Sequence, residues 1–548
     1  MKNIFKIALL GGVAFSMALT GCIEEVEPTN GVTQDQLDDL TKAGSATLYA
    51  IPAKMVAYSD AFDWHGYIGY PGMMQIRDRS LDEMICASTG TNYNQWSYYE
   101  RNRLSQNYWF PQVIWNYYNQ LVLATNKATQ RFPKGIETED GKGARAKALA
   151  YRAMLYLDMA RWFEFLPNDK TSNITTAGND ILHLTVPIVT EETTEDEARN
   201  NPRATREKMF EFLRDDLQYA EENIEFADAE LNAQSLPDKA CVYGLFARLY
   251  LWIEDYAKAA EYADKAIAAK ASAKPLTEAE WVDPKTGFNR MDTYSSWMWG
   301  IGLTSENDAV RTGICNFTSF VSVETTYGYA GPSAGAYPAV GRSFYDRISN
   351  TDFRKLSWIP ATRSTLVLKI TLNGDNSDTR KRSIYTKFPL APLKFRPGNG
   401  NCTDPTEGSA TDLPLMRIEE MYFIKYEAMA HTNPTGALAE FTKWMKEYRD
   451  PKYSCDKTSV DDVVEEIVFQ KRVEFWGEGL NFFDVKRLGY KVTRAYDKTN
   501  FYPDSRFNTE GRPAWFNMPI VKTEADNNHA VDGWNNPDVD GLYIAITE

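Results

Sequence analysis

Four groups of residues in this 548-residue sequence have the types and spacing to do chemistry, and each makes a different demand on its surroundings. The first is a serine between glycines, Gly331-Pro332-Ser333-Ala334-Gly335, with the Gly-x-Ser-x-Gly spacing of a hydrolase nucleophile elbow. An elbow needs a buried strand before the serine and a helix after it. Thr325 to Ala330 is not a continuous apolar strand, and Pro338 falls where the helix must run, so a glycine-rich loop is expected. The second is Asn536-Pro537-Asp538-Val539-Asp540-Gly541, whose alternating oxygens precede a glycine as in a calcium loop. Its twelfth position is Thr547 rather than Glu, and Pro537 stiffens it. A solvated turn is expected, structural calcium is the lesser alternative, and no other cofactor is expected. The third is the histidine set, His65, His183, His431 and His529, too far apart for a zinc-ligand pattern.

The fourth group is the most suggestive. The chain carries 31 Tyr and 14 Trp. Such rings offer a flat apolar face with a polar edge, which suits the C–H face and hydroxyl rim of a sugar. Asn94 and Trp96 stand together in Asn92-Tyr93-Asn94-Gln95-Trp96, where an amide can bond hydroxyls while the ring stacks. Tyr294, Trp297, Trp299, Tyr327, Tyr329 and Tyr337 lie among turn formers further on. These eight residues are the ligand-binding candidates, with at least two of the rings read as platforms displayed at the surface and a core for a small second lobe as the alternative. Glycosidase chemistry needs two carboxylates at a set separation, and no flanking motif singles out a pair among 75 acidic residues. The sequence cannot show that separation, so a glycoside hydrolase stands as the minor alternative to binding without catalysis.

The elements that must position these groups are mostly helical. Apolar residues recur at helical spacing over Thr33–Tyr58, Pro111–Ala128 and, most clearly, Ala144–Phe165, where Ala148, Tyr151, Leu155, Met159 and Trp162 line one broad face. Thr205 is placed to cap a helix over Arg206–Ile224. Asp238–Ala269 reads as two helices with a turn at Glu254-Asp255. Its small residues at Ala247, Ala259 and Ala266 sit at tetratricopeptide spacing and allow close antiparallel packing. Helices resume at Leu415–Ala430, Gly436–Tyr448 and Val460–Trp476. The fold class is mainly α: a tetratricopeptide-like helical-repeat scaffold with a large irregular loop-rich insertion holding a few short strands, such as Thr365–Leu372.

The chain begins with Lys2 and Lys6, then an apolar run from Ile7 to Leu19 that is too short for a membrane span, then Leu19-Thr20-Gly21-Cys22. This resembles a bacterial lipoprotein signal, with Cys22 as the lipidated first residue after cleavage. The expected organisation is a signal at 1–21, a tether at 22–32, a helical-repeat region at 33–273, a loop-rich ligand-binding region at 274–413, and C-terminal helices with an irregular tail at 414–548. The formal net charge is −15, which repels a phosphate backbone and argues against a nucleic-acid partner. Beyond Cys22, the cysteines Cys86, Cys241, Cys315, Cys402 and Cys455 are odd in number and widely spaced, and read as small buried thiols.

Several segments together resemble the SusD/RagB family of outer-membrane lipoproteins. They are Ala146–Arg161 running to Pro167, Asp412–Tyr422 with Glu427-Ala428, Glu466–Gly479 with Phe482–Gly489, and Met518-Pro519-Ile520. The third departs from the family pattern at Phe469-Gln470 and at Asn481. The resemblance implies an accessory protein anchored at the cell surface over a SusC-like TonB-dependent transporter, to which it delivers a glycan; a peptide or other nutrient is the alternative ligand. It further implies that Glu474, Gly477, Glu478, Asp484 and Arg487 form a signature of turn and ion-pair contacts, not catalysts.

Overall fold

A computed structural model of the chain describes residues 40–58, 65–86, 104–286, 288–293, 295–361, 384–385 and 387–547. Cys22, Asn94, Trp96, Tyr294 and the expected strand Thr365–Leu372 lie outside the described residues. Two compact units are distinguished, Met1–Ala46 and Thr47–Glu548, and all that follows concerns the second.

The main elements in order are α1 (Leu40–Met55, in the second unit from Thr47), α2 (Tyr70–Arg79), β1 (Met84–Cys86), α3 (Trp109–Arg131), α4 (Glu139–Phe163), α5 (Arg206–Asn223), α6 (Lys239–Trp252) and α7 (Tyr256–Ala269). Then come β2 (Trp297–Gly302), β3 (Pro338–Val340), α8 (Arg342–Arg347), β4 (Asp412–Arg417), α9 (Ile418–Ala430), α10 (Pro434–Tyr448), α11 (Val460–Glu474) and α12 (Asn481–Arg487). Helix α3 packs on α4, α4 on α5, α6 on α7, α7 on α9, and α9 on α10 and α11. The mainly α architecture is the one expected.

Local signals explain several boundaries. The Thr205 hydroxyl accepts from Lys208 N at 3.2 Å and caps α5 as anticipated, an interaction worth ~1 kcal/mol. Asp238 and Asp255 cap α6 and α7 in the same way. The turn between those helices passes through Glu254 at φ 66°, and Ala259, Ala263 and Ala266 are wholly buried against neighbours. Gly143 lets α4 touch the turn after α5: a Cβ there would lie 2.1 Å from Ala227 N.

Helix α4 differs from expectation. It has no solvent face: from Gly143 to Phe163 every residue but Arg161 is buried. Its charged residues are satisfied by distant chain. Arg152 makes a bidentate pair with Asp216 at 2.7 Å and reaches Glu191 at 2.5 Å, and Lys147 donates to Pro237 O at 2.9 Å. Asp158 accepts from Arg77 at 2.9 Å and Tyr70 at 2.8 Å. Charges in α4 thus mark internal ties rather than an outer surface.

Two small antiparallel pairs interrupt the helices. β1 pairs with β3, Met84 facing Val340, and β2 pairs with β4, Gly302 facing Asp412, with bulges near Trp299. β4 runs directly into α9, and the core of β2 is continuous with that of α4 and α6.

Glu474 and Glu478 occupy a buried ion-pair network, and Asp484 and Arg487 a second, nearly buried one. Glu474 receives Arg449 at 2.7 Å, Arg417 at 3.2 Å and Arg354 at 3.2 Å. Glu478 pairs with Arg417 at 2.9 Å and Lys394 at 2.6 Å. Burial by itself raises the pKa of Glu474; Arg449, Arg417 and Arg354 outweigh it and hold the carboxyl well below the usual range. Between the two glutamates, Gly477 at φ 83° is required, because a Cβ would fall 2.4 Å from the Phe395 ring. Asp484 bonds Lys471 at 2.8 Å, and Arg487 reaches Glu427. The departure at Asn481 has its own use: its amide donates to Glu83 at 2.6 Å and to Arg472 O at 2.9 Å.

The tail is stitched to the start of the unit. Asp538 accepts from Ser105 Oγ at 2.8 Å and Gln106 N at 2.9 Å, and Asp540 accepts from Tyr108 at 2.5 Å. The two carboxylates of the considered calcium turn are thereby engaged, and no group of three or more His, Cys, Asp or Glu among the described residues could hold a metal. Arg203 donates to Trp534 O at 2.8 Å and Asn536 Oδ1 at 3.0 Å.

Candidate functional site

The irregular stretch 315–337 meets two other parts of the chain at Tyr58 and His65. Its anchor is the short helical turn Phe317–Val321. Tyr329 N and Ala330 N donate to Ser319 O at 2.9 and 2.7 Å, so the loop folds back over that turn. Gly328 makes this possible: at φ 77° a Cβ would sit 2.3 Å from Ser319 Oγ.

Tyr329 is the centre of this cluster. Its ring lies between Phe320, centroids 4.9 Å apart, and His65, centroids 5.9 Å apart and nearly parallel. Its hydroxyl hydrogen-bonds His65 Nδ1. Tyr327 is half-buried, with Ser409 Oγ donating to its hydroxyl at 3.4 Å; burial is the main reason its phenol is pushed up to about 12. Thr326 N donates to Cys402 O at 2.8 Å and ties this loop to the 400–411 stretch. The Cys315 thiol, pushed up by burial, has the half-buried Tyr58 as hydrogen-bond partner. One stretch of chain thus carries an imidazole–phenol pair at Tyr329, a thiol–phenol pair at Cys315 and, at Tyr327, a ring partly open to solvent. None of these groups is a carboxylate, an ammonium or a guanidinium, and hydroxyl-bearing rings of this kind suit a polyhydroxylated ligand better than an ion.

The structure separates the expected site residues. Tyr327 and Tyr329 both lie on this loop but have different partners, Ser409 for Tyr327 and His65 with Phe320 for Tyr329. Tyr337 is nearby in sequence but buried edge-on against Phe388, centroids 5.2 Å apart. Display at the surface does not hold for Trp297 and Trp299, which are buried core residues at 1% and 0% exposure. The physical reason is strand pairing: β2 lies beside β4, whose Leu413, Leu415 and Met416 are themselves buried. Trp299 packs against Tyr151 of α4 at 4.8 Å between centroids and donates to Ser235 O at 3.1 Å. Surface display does not hold for Tyr329 either: at 3% exposure it is buried, packed on Phe320 and hydrogen-bonded to His65. His65 and Tyr58 were not among the candidates. A lone histidine and a lone tyrosine carry no spacing signal, and their partners are 264 residues away for His65 and in the 315 region for Tyr58.

Ser333 is exposed on the turn closed by Gly335 N to Gly331 O at 2.8 Å. No strand leads into it and β3, not a helix, follows, so the nucleophile-elbow geometry is missing.

Residues 350–538 match the model of the SusD family, and residues 74–251 match a SusD-like model described as starch-binding associating with outer membrane. Among solved structures, the chain resembles a SusD-like carbohydrate binding protein from Bacteroides vulgatus, with 20% identity and a TM-score of 0.68 over 91% of this chain and 98% of that one. It resembles a SusD superfamily protein from Bacteroides thetaiotaomicron at 16% identity and a TM-score of 0.64, over 90% of this chain and 99% of the other. A SusD superfamily protein from Parabacteroides distasonis gives 13% identity and 0.61, over 91% and 98%. At these identities the likeness is one of fold. No protein in the curated set matches the chain.

Proposed function

The chain belongs to the SusD/RagB family, and from that premise we propose that it is a lipid-anchored surface protein that binds a glycan without breaking it and delivers it to a SusC-like TonB-dependent outer-membrane transporter. The observation offered for the ligand half of this reading is the loop 315–337, where Tyr327 keeps a partly open ring beside Ser409 and Tyr329 is hydrogen-bonded to His65. Trp96, Asn94 and Tyr294 remain proposed ligand contacts on the chemistry of ring and amide, while Trp297 and Trp299 take a structural role. Lipidation at Cys22 provides the anchor, and no helix among the described residues is long and apolar enough to cross a membrane.

A stacked ring contributes ~1 kcal/mol, so several contacts acting together give binding of roughly micromolar to millimolar strength. The test is an affinity-gel and glycan-array screen of the protein, with peptides as a parallel arm, using Tyr327→Ala and Trp96→Ala. Retention by a glycan that weakens in those variants, with no change in the glycan's length, is expected. Turnover of the glycan, or retention of peptides alone, overturns the reading. Recovery of a TonB-dependent channel with the tagged protein from outer membranes tests the transporter half.

A further inference from the structure

A second cleft, of about 420 Å³, opens between α8, α11 and the stretch 490–493. Its residues come from sequence-distant parts of the chain and none belongs to the loop cluster around Tyr329. Phe344 and Phe469 form its apolar wall, ring edge to ring face with centroids 5.4 Å apart. The Arg347 guanidinium lies 4.0 Å from the Phe469 centroid, which fixes its direction while leaving it half-exposed.

The charges of this cleft differ from those of the molecule. Its lining holds Arg347, Arg472 and Lys491 against Asp82 and Glu465, in a chain of net charge −15. Arg472 is committed to Asp82 at 2.5 Å and to Glu83. Asp82 also accepts from Thr493 N at 3.1 Å. Setting those aside leaves Arg347 and Lys491 facing Glu465 alone, and the Arg347–Glu465 separation of 3.9 Å between solvated groups is a weak tie. A cation held flat on a ring, a second cation, hydroxyls of Ser343 and Tyr490, and an apolar wall occupy one cleft. That set matches a ring bearing both a carboxylate and hydroxyls. A carboxylate takes the fork of Arg347, and the hydroxyls of a sugar meet the polar rim, above a floor that the buried Phe344 and Phe469 make rigid.

We propose that this cleft is a second subsite that takes a hexuronic acid residue, the carboxylate meeting Arg347 and Lys491. The proposal rests on the reading of the chain as a glycan binder and adds the class of sugar. Saturation-transfer NMR of the full-length protein with D-glucuronic acid, D-glucose and acetate tests it. Glucuronic acid should receive saturation at least tenfold stronger than glucose, and acetate in equal amount should not displace it. The signal should fall about tenfold or more in Arg347→Met/Lys491→Met, whose fold is checked by circular dichroism, and persist in Tyr327→Ala. Equal response to glucose, displacement by acetate, or persistence in the double variant overturns the proposal. If neutral oligosaccharides still bind while glucuronic acid does not, this proposal falls and the glycan reading stands. If Tyr327→Ala loses neutral sugars yet keeps glucuronic acid, the two sites are independent as stated.

Discussion

Arg417 and Glu474, 57 residues apart in the chain, meet at 3.2 Å with neither exposed to water. Around them Arg449, Arg354, Glu478 and Glu419 complete a network with every side chain nearly or wholly buried. Glu474→Gln removes the charge that three guanidiniums share. Breaking a buried pair from one side costs ~3–5 kcal/mol, because the partners keep their charge without compensation. Denaturant unfolding of the variant should show that loss; a change below 1 kcal/mol would show that Glu478 and Glu419 suffice.

A second expectation concerns pH. Asp78 on α2 is pushed up to about 8, first by burial and then by the charge of Glu83. An unfolded aspartate titrates near 3.9. Between about pH 4 and about pH 8 the folded chain therefore holds a proton that the unfolded chain has released, and this contribution to stability is full below that window and declines as pH rises through it. The slope is roughly 1.4 kcal/mol per pH unit for one proton. Asp78→Asn is neutral throughout and keeps an oxygen for Gly479 N, so stability measured at pH 5 and pH 8 should differ less than in the parent. An unchanged difference refutes the assignment to Asp78.

Two glycine substitutions should differ in outcome. Alanine normally favours a helix over glycine by about 1 kcal/mol. At Gly143 the new methyl meets backbone atoms of Ala227 at 2.1 and 2.4 Å, which cannot swing away. At Gly244 it meets the thioether of Met416 at 2.3 Å, which can turn aside. Gly143→Ala should lower the melting temperature, and Gly244→Ala should leave it within a few degrees of the parent.

Trp299→Ala should behave as a core deletion. Removing a buried tryptophan costs ~3–5 kcal/mol. A stable Trp299→Ala protein that loses only ligand retention would return this residue to the binding surface.

Much of the helical frame was legible in the sequence because its signals are local. The Thr205 cap, the turn at Glu254 and the alanine spacing of α6 and α7 each act within a few residues. The all-round burial of α4 was not legible. Arg152 and Lys147 count as surface in any periodicity, and only distant contacts, with Asp216 and Glu191 for the one and Pro237 O for the other, satisfy them. The site followed the same division. Tyr327 and Tyr329 stood out by ring and turn context. Trp297 and Trp299 carried the same mark but lie in β2, and the apolar run Leu413-Pro414-Leu415-Met416 was the trace of the strand that covers them. His65 carried no mark, since its meaning comes only from Tyr329.

The knot of Asp538 with Ser105 joins positions 433 apart. Synthesis at ~5–20 residues per second separates the two by tens of seconds. Through that interval the stretch Ser105–Tyr108 must fold without the two carboxylates that hold it, so its final order is set late.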